Sequence, residues 1–217
     1  MNFDELTGRI ALYGIIPVIA IESAKNAIPL ADALISGGLP CAEITFRTAA
    51  AAEVMALIKK ERPDMILGAG TVLTKENLKK AKDAGAMFGV APGFNPDMVK
   101  AAADMGFPFI PGIATSSELE QAFALGCRVL KFFPAELGGG VKMLEALSAP
   151  YGHTGVSFMP TGGVNLGNLE SYLKVSTVKF VGGTWIAKKD DIAAGNWDAI
   201  RKNCVQALDT ARNIKRV

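Results

Sequence analysis

Residues 128–134, RVLKFFP, set a lysine in the middle of an apolar run, with Val129 and Phe133 on the face of Lys131 and Leu130 and Phe132 on the other. Seven further short apolar runs surround it: IIPVIAI from Ile15, CAEIT from Cys41, MILGAG from Met65, MFGVAP from Met87, PFIPGIA from Pro108, SFMPTGG from Ser157 and TVKFVGG from Thr177. Near-continuous apolar runs of this length, several of them ending in glycine or proline, read as strands covered on both faces. Between them the apolar residues recur at three or four, as in Ile28, Ala31, Leu34 and Ile35, or Val54, Leu57 and Ile58, which is helical spacing.

The starts of these runs lie 20 to 29 residues apart by subtraction, the size of one βα unit rather than of a solenoid repeat. Helix punctuation agrees. Asn95-Pro96 supplies an N-cap and a first-turn proline, Thr115 with Glu118 reads as a capping box, Pro29 sits in a first turn after Asn26, and Gly85, Gly106 and Gly126 close helices. Eight βα units predict a single α/β domain over residues 1–217, a TIM (β/α)8 barrel with an extra N-terminal helix. The amphipathic stretch Phe3 to Leu12 is that helix and would cap the N-terminal mouth. Trp197 to Lys215 reads as the last helix, its basic tail a solvated face. An open doubly wound sheet is the rival arrangement.

Composition narrows the function. Half of the 217 residues are hydrophobic and 20% charged, which predicts a large core and no disorder. Lys and Arg number 23 against 21 Asp and Glu, so no electrostatic case exists for nucleic acid or an anionic membrane surface. Cys41, Cys127 and Cys204 lack any C-x-x-C spacing, which supports neither a disulfide framework nor a zinc site and fits a reducing cytoplasm. Asp4 and Glu5 follow Met1 before any apolar run, the reverse of a signal peptide's basic start, and no stretch approaches the length of a membrane helix. His153 is the single histidine, so no histidine-rich metal centre is expected and its reading is a surface residue. Gly68 to Thr71, GAGT, lacks the spacing of a dinucleotide fingerprint.

Barrels act at the C-terminal ends of their strands, and few charged residues fall there. In CAEITFR the residues Glu43, Thr45 and Arg47 share one face; they form either a structural ion pair or a proton carrier beside a carboxylate anchor. Lys131 is costly in its apolar setting. Desolvation disfavours the ammonium, which favours a nucleophilic amine able to form a Schiff base with a ketone. The plain alternatives are that it snorkels to solvent or pairs with Glu43. Lys179 in TVKFVGG looks equivalent, and strand parity does not separate the two. Two glycine turns, around Gly162-Gly163 and Gly182-Gly183, follow strands seven and eight, where backbone N–H groups commonly bind phosphate. The Gly138 to Gly140 run reads as a loop.

EITFRT at 43–48, GAGTV at 68–72, APGF at 91–94, PGIATSSE at 111–118, KFFPAE at 131–136 and PTGGV at 160–164 together resemble the 2-keto-3-deoxy-6-phosphogluconate and 4-hydroxy-2-oxoglutarate aldolases, class I aldolases. The resemblance runs in order along almost the whole chain, and the KFFPAE and PTGG pair is its most specific part. It implies a TIM-barrel homotrimer of the Entner–Doudoroff pathway in which Lys131 forms the Schiff base and Glu43 shuttles protons, with no cofactor and no metal. It gives Lys179 no role. Arg47 and Thr71 would hold the pyruvyl carboxylate, Pro92 and Phe133 would line the pocket, and Gly162, Gly163 and Thr184 would receive the phosphate of a phosphorylated 2-keto-3-deoxy sugar acid. Thr161 before the two glycines matches the gluconate rather than the galactonate type. The family often has serine at position 184; Thr184 keeps the hydroxyl and changes pocket size. A 4-hydroxy-2-oxoglutarate aldolase, a galactonate-type aldolase and a non-catalytic phosphosugar-binding barrel are the alternatives.

Overall fold

The computed structural model describes residues 2–214. Helix α1 (Phe3–Tyr13) leads into β1 (Ile15–Ile19), and helix and strand alternate from there: α2 (Ala27–Ser36), β2 (Cys41–Thr45), α3 (Ala51–Glu61), β3 (Ile66–Gly70), α4 (Lys75–Asp83), β4 (Phe88–Val90) and α5 (Pro96–Asp104). Then come β5 (Phe109–Ile110), β6 (Gly112–Ile113), α6 (Ser116–Ala124), β7 (Val129–Phe132), α7 (Gly140–Tyr151), β8 (Ser157–Pro160), α8 (Leu169–Leu173), β9 (Val181–Gly183), α9 (Lys189–Ala194) and α10 (Trp197–Arg212). The expected last helix thus ends at Arg212; Lys215 and the basic tail lie outside the described residues.

All strand pairs are parallel, in a six-stranded sheet β5-β4-β3-β2-β1-β9 and a three-stranded sheet β6-β7-β8. The order follows the chain without the reversal of a doubly wound sheet, because β1 lies between β2 and β9. One expected strand appears as two. Pro111 has no N–H to donate, so the ladder breaks there: Ile110 pairs with Val90 on one side, and Gly112 pairs with Lys131 on the other. The Pro111 carbonyl nevertheless accepts from Lys131 N at 2.9 Å. The last run enters the ladder late, at Val181, with isolated bridges Phe158 to Val178 and Thr161 to Gly182.

Every residue of β1, β2 and β3 is buried, as expected for strands covered on both faces. The helices bury one stripe each: Val54, Met55 and Ile58 in α3, Leu78 and Ala81 in α4, Leu119 and Ala122 in α6.

The punctuation read from the sequence is present. Asn95 Oδ1 accepts from Asp97 N at 2.9 Å, with Pro96 opening α5. Thr115 and Glu118 form the capping box, and Glu118 Oε2 also accepts from Ala114 N at 2.8 Å. Burial pushes the Glu118 carboxyl up, but the Ala114 and Thr115 N–H groups and the Thr115 hydroxyl overcome it and hold the group below its ordinary range. A second capping box, Asn2 with Glu5, starts α1. Asn26 does not cap α2 with its side chain, which instead donates to the Ile192 carbonyl at 3.2 Å and ties α2 to α9.

Candidate active site

Strand β2 delivers Glu43 and strand β7 delivers Lys131 into the same buried space. Glu43 is fully buried and Lys131 is 4% exposed, and Lys131 Nζ lies 3.5 Å from Glu43 Oε1. The other carboxylate oxygen, Glu43 Oε2, is buried without a hydrogen-bond partner. A buried unpartnered carboxylate oxygen costs free energy, and it marks a place where a water or a substrate hydroxyl would be held. Gly70, near the end of the neighbouring strand β3, makes the room: a Cβ there would lie 2.1 Å from Glu43 Oε1. Lys131 Nζ also stands 5.5 Å above the Phe133 ring, which confirms the shared face read from alternation.

Burial, not register, separates the two lysines. Lys131 is third in β7, paired with Gly112 and Met159. Lys179 comes two residues before β9, level with Met159 through its N–H bond to the Phe158 carbonyl at 2.9 Å, but it is only half-buried where Lys131 is 4% exposed.

Arg47 does not pair with Glu43. Its Nε donates to Thr45 Oγ1 at 3.1 Å, and its side chain is exposed just past the end of β2. Thr71, one residue beyond β3, has φ of 55°, a left-handed conformation that costs a β-branched residue about 1–2 kcal/mol. Pro92 follows β4 and faces Gly112, whose Cβ would fall 2.1 Å from the Pro92 carbonyl oxygen. Arg47, Thr71 and Pro92 thus stand just past the carboxyl ends of the adjacent strands β2, β3 and β4.

The two glycine turns are brought together by the Thr161 to Gly182 bridge. Thr161 is 3% exposed, and its hydroxyl presses on Gly182, where a Cβ would lie 2.2 Å away. Gly162 and Gly163 adopt φ of 95° and 82°, which turns successive N–H groups outward. Outside the strand ladders, no backbone acceptor among the described residues meets the N–H groups of Gly163 or Thr184. Thr184 is exposed, and a Cβ on Gly162 would contact the Phe133 ring at 3.2 Å. Gly139, by contrast, caps α7, and His153 is exposed.

The sequence put Thr45 on the face of Glu43 and Arg47 without giving it a role, and it did not single out the contact in which the Tyr172 hydroxyl donates to Glu136 beside the glycine turn. Glu136 N also donates to the Gly162 carbonyl at 3.0 Å. Burial, then the Glu136 carboxylate, push the Tyr172 hydroxyl well above its ordinary range. The buried Trp185 Nε1 without a partner was equally silent. These contacts join residues 26 and 36 positions apart, and no local pattern announces them.

A buried lysine beside a buried carboxylate at the carboxyl ends of parallel strands is the equipment of a Schiff-base, class I aldolase. The family described as "Aldolase: KDPG and KHG aldolase" matches residues 7–203, KDPG being 2-keto-3-deoxy-6-phosphogluconate and KHG 2-keto-4-hydroxyglutarate. The chain is 48% identical to the 2-dehydro-3-deoxy-phosphogluconate aldolase of Treponema pallidum over 89% of its length and 91% of that protein. It is 40% identical to the KHG/KDPG aldolase of Escherichia coli K12, covering 91% of this chain and 92% of that one. The crystal structure of the Legionella pneumophila KDPG aldolase, with pyruvate captured as a covalent carbinolamine, superposes with a TM-score of 0.87 at 38% identity, covering 92% of this chain and 96% of that one. The chain belongs to the KDPG and KHG aldolase family.

Proposed function

We propose that the chain cleaves 2-keto-3-deoxy-6-phosphogluconate to pyruvate and glyceraldehyde 3-phosphate through a Schiff base on Lys131. The observation that carries the assignment is the buried Lys131 Nζ at 3.5 Å from Glu43 Oε1. The neutral amine adds to the C2 ketone, and with one proton taken up from solvent through Glu43 water leaves, giving a protonated imine and the Glu43 carboxylate. Glu43 takes the proton of the C4 hydroxyl, the C3–C4 electron pair moves into the imine to form an enamine, and glyceraldehyde 3-phosphate departs. Protonation at C3 and hydrolysis of the imine release pyruvate and free Lys131. The unpartnered Glu43 Oε2 suits the proton steps.

Arg47 and Thr71 hold the carboxylate in this reading, Pro92 and Phe133 bound the pyruvyl pocket, and Thr161 shapes the turn whose Gly162 and Gly163 N–H groups, with Thr184, take the phosphate. The free N–H groups and the left-handed glycines support that part. The sheet reads as a closed eight-stranded barrel: continuity through Pro111 and the Thr161 to Gly182 bridge support closure at both seams. A homotrimer in the cytoplasm belongs to the same reading. Native mass spectrometry returning three chains supports the trimer, and a monomer overturns it. No helix of the described residues is long and apolar enough to cross a membrane.

The E. coli relative carries both substrate names, so cleavage of 4-hydroxy-2-oxoglutarate is the second activity to measure. Incubation with pyruvate and borohydride, followed by peptide mapping, tests the central claim. Modification at Lys131 supports it. Modification at Lys179 with Lys131 free overturns the assignment, and no modification while phosphate esters still bind replaces it with the non-catalytic alternative.

A further inference from the structure

Thr45 is 1% exposed and lies between Glu43 and Arg47 on one strand face. Its hydroxyl contacts the Ile19 carbonyl at 2.8 Å and Arg47 Nε at 3.1 Å. A carbonyl only accepts and a protonated guanidinium only donates, so the hydroxyl proton is committed to Ile19 and a lone pair faces Arg47. The backbone of β1 thereby sets the direction of the Thr45 lone pair, and that lone pair sets the guanidinium plane. With Nε engaged, both terminal amino groups remain for two oxygens of one carboxylate. Among the described residues Arg47 makes no ion pair with an acidic side chain, so the single Thr45 bond is what orders an otherwise exposed arginine.

We propose that Thr45 is a positioning residue that presents the terminal nitrogens of Arg47 to the substrate carboxylate. This rests on the reading of Arg47 as carboxylate anchor, and the test separates the two. Pyruvate affinity is read from the concentration dependence of borohydride trapping, and folding from the thermal midpoint. Thr45→Val should raise the half-saturating pyruvate concentration about tenfold, the effect of one lost hydrogen bond to a charged group, with the maximal trapping rate within about twofold of wild type. Thr45→Ser should restore affinity, and Thr45→Val should add nothing to Arg47→Ala.

Unchanged affinity in Arg47→Ala overturns the anchor and this proposal together. Weakened binding in Arg47→Ala with unchanged binding in Thr45→Val overturns only the positioning role, as does a serine variant as weak as the valine. If the valine variant fails to fold, Arg47→Lys decides: it keeps the charge but lacks Nε, and wild-type affinity there overturns the proposal.

Discussion

A cavity of about 450 Å³ opens at the amino ends of β5 and β7, lined by Phe107, Phe109, Leu125, Cys127 and Arg128 and by the start of α1, while Glu43 and Lys131 meet toward the carboxyl ends, where a cavity of about 420 Å³ is lined by Phe46, Arg47 and Asn77. The amino end leaves little polar chemistry open. Arg128 lies 3.8 Å above the Phe123 ring and donates to the Phe123 and Cys127 carbonyls at 3.0 Å each. The carboxyl end holds a carboxylate oxygen without a partner, the turn N–H groups of Gly163 and Thr184 outside the ladder, and a threonine at positive φ. Empty volume occurs at both ends of the strands, chemical readiness at one. Unsatisfied polar groups, which folding alone would not retain, are the better guide to where a ligand goes.

The contrast breaks most sharply at Lys131. Lys131→Ala should abolish pyruvate trapping, whereas Lys179→Ala should trap as wild type does. Removing one member of a buried pair leaves Glu43 desolvated and alone, so Lys131→Ala should also lose about 3–5 kcal/mol of stability, measured by urea unfolding. Full trapping in Lys131→Ala would move the chemistry elsewhere.

Glu43→Gln keeps the shape and removes the base. Cleavage should slow by about 10²–10⁴-fold, the usual weight of a positioned acid or base, with folding and pyruvate binding largely intact. Near-normal turnover would make the Glu43–Lys131 contact a structural pair only.

The glycine turns sharpen the comparison on the carboxyl end itself. Losing two hydrogen bonds to a charged phosphate costs about 3–6 kcal/mol, or about 10²–10⁴ in kcat/KM, so the dephosphorylated substrate should be poorer by that factor. Gly163→Ala is the companion variant. Its Cβ would meet Glu136 Cγ at 2.5 Å, and φ of 82° disfavours any side chain; the turn should shift, lowering kcat/KM for the phosphorylated substrate alone. Equal kinetics on both substrates would remove the phosphate role.

How much of this the sequence carried depends on the range of the contact. Strand runs, caps and helix faces are written in neighbouring residues, and seven of the eight runs begin within one residue of an observed strand; the last enters the ladder at Val181. Alternation along one strand likewise placed Lys131 with Phe133 and Arg47 with Thr45. Pairings across the sheet were different. Composition and spacing could not say whether Glu43 would face Arg47 or Lys131, nor separate Lys131 from Lys179, because register between β2 and β7 is set by the whole ladder. The family resemblance supplied that choice, and the geometry agrees with it. Gly70 illustrates the limit: its reason for being glycine is an oxygen atom 27 residues earlier in the chain.

The smallest expected effect belongs to the amino end. Cys127 borders the cavity at the amino ends and is half-buried. Burial raises its thiol, only partly opposed by the Arg128 guanidinium, to about 11. The thiolate is the reactive form, so at pH 8 about one molecule in a thousand would carry it, and alkylation by iodoacetamide should be slow and rise roughly tenfold per pH unit up to about pH 10. Cys41 and Cys204 are fully buried, with the Cys204 thiol pushed up to about 12, so mass spectrometry should find the first label on Cys127. Once it is there, turnover should stay within about twofold of the unlabelled enzyme, because the labelled atom lies at the end of the sheet away from Lys131. Large inactivation that tracks Cys127 labelling, and that added pyruvate prevents, would show that the cavity at the amino ends communicates with the chemistry. The separation of the two ends would then be wrong.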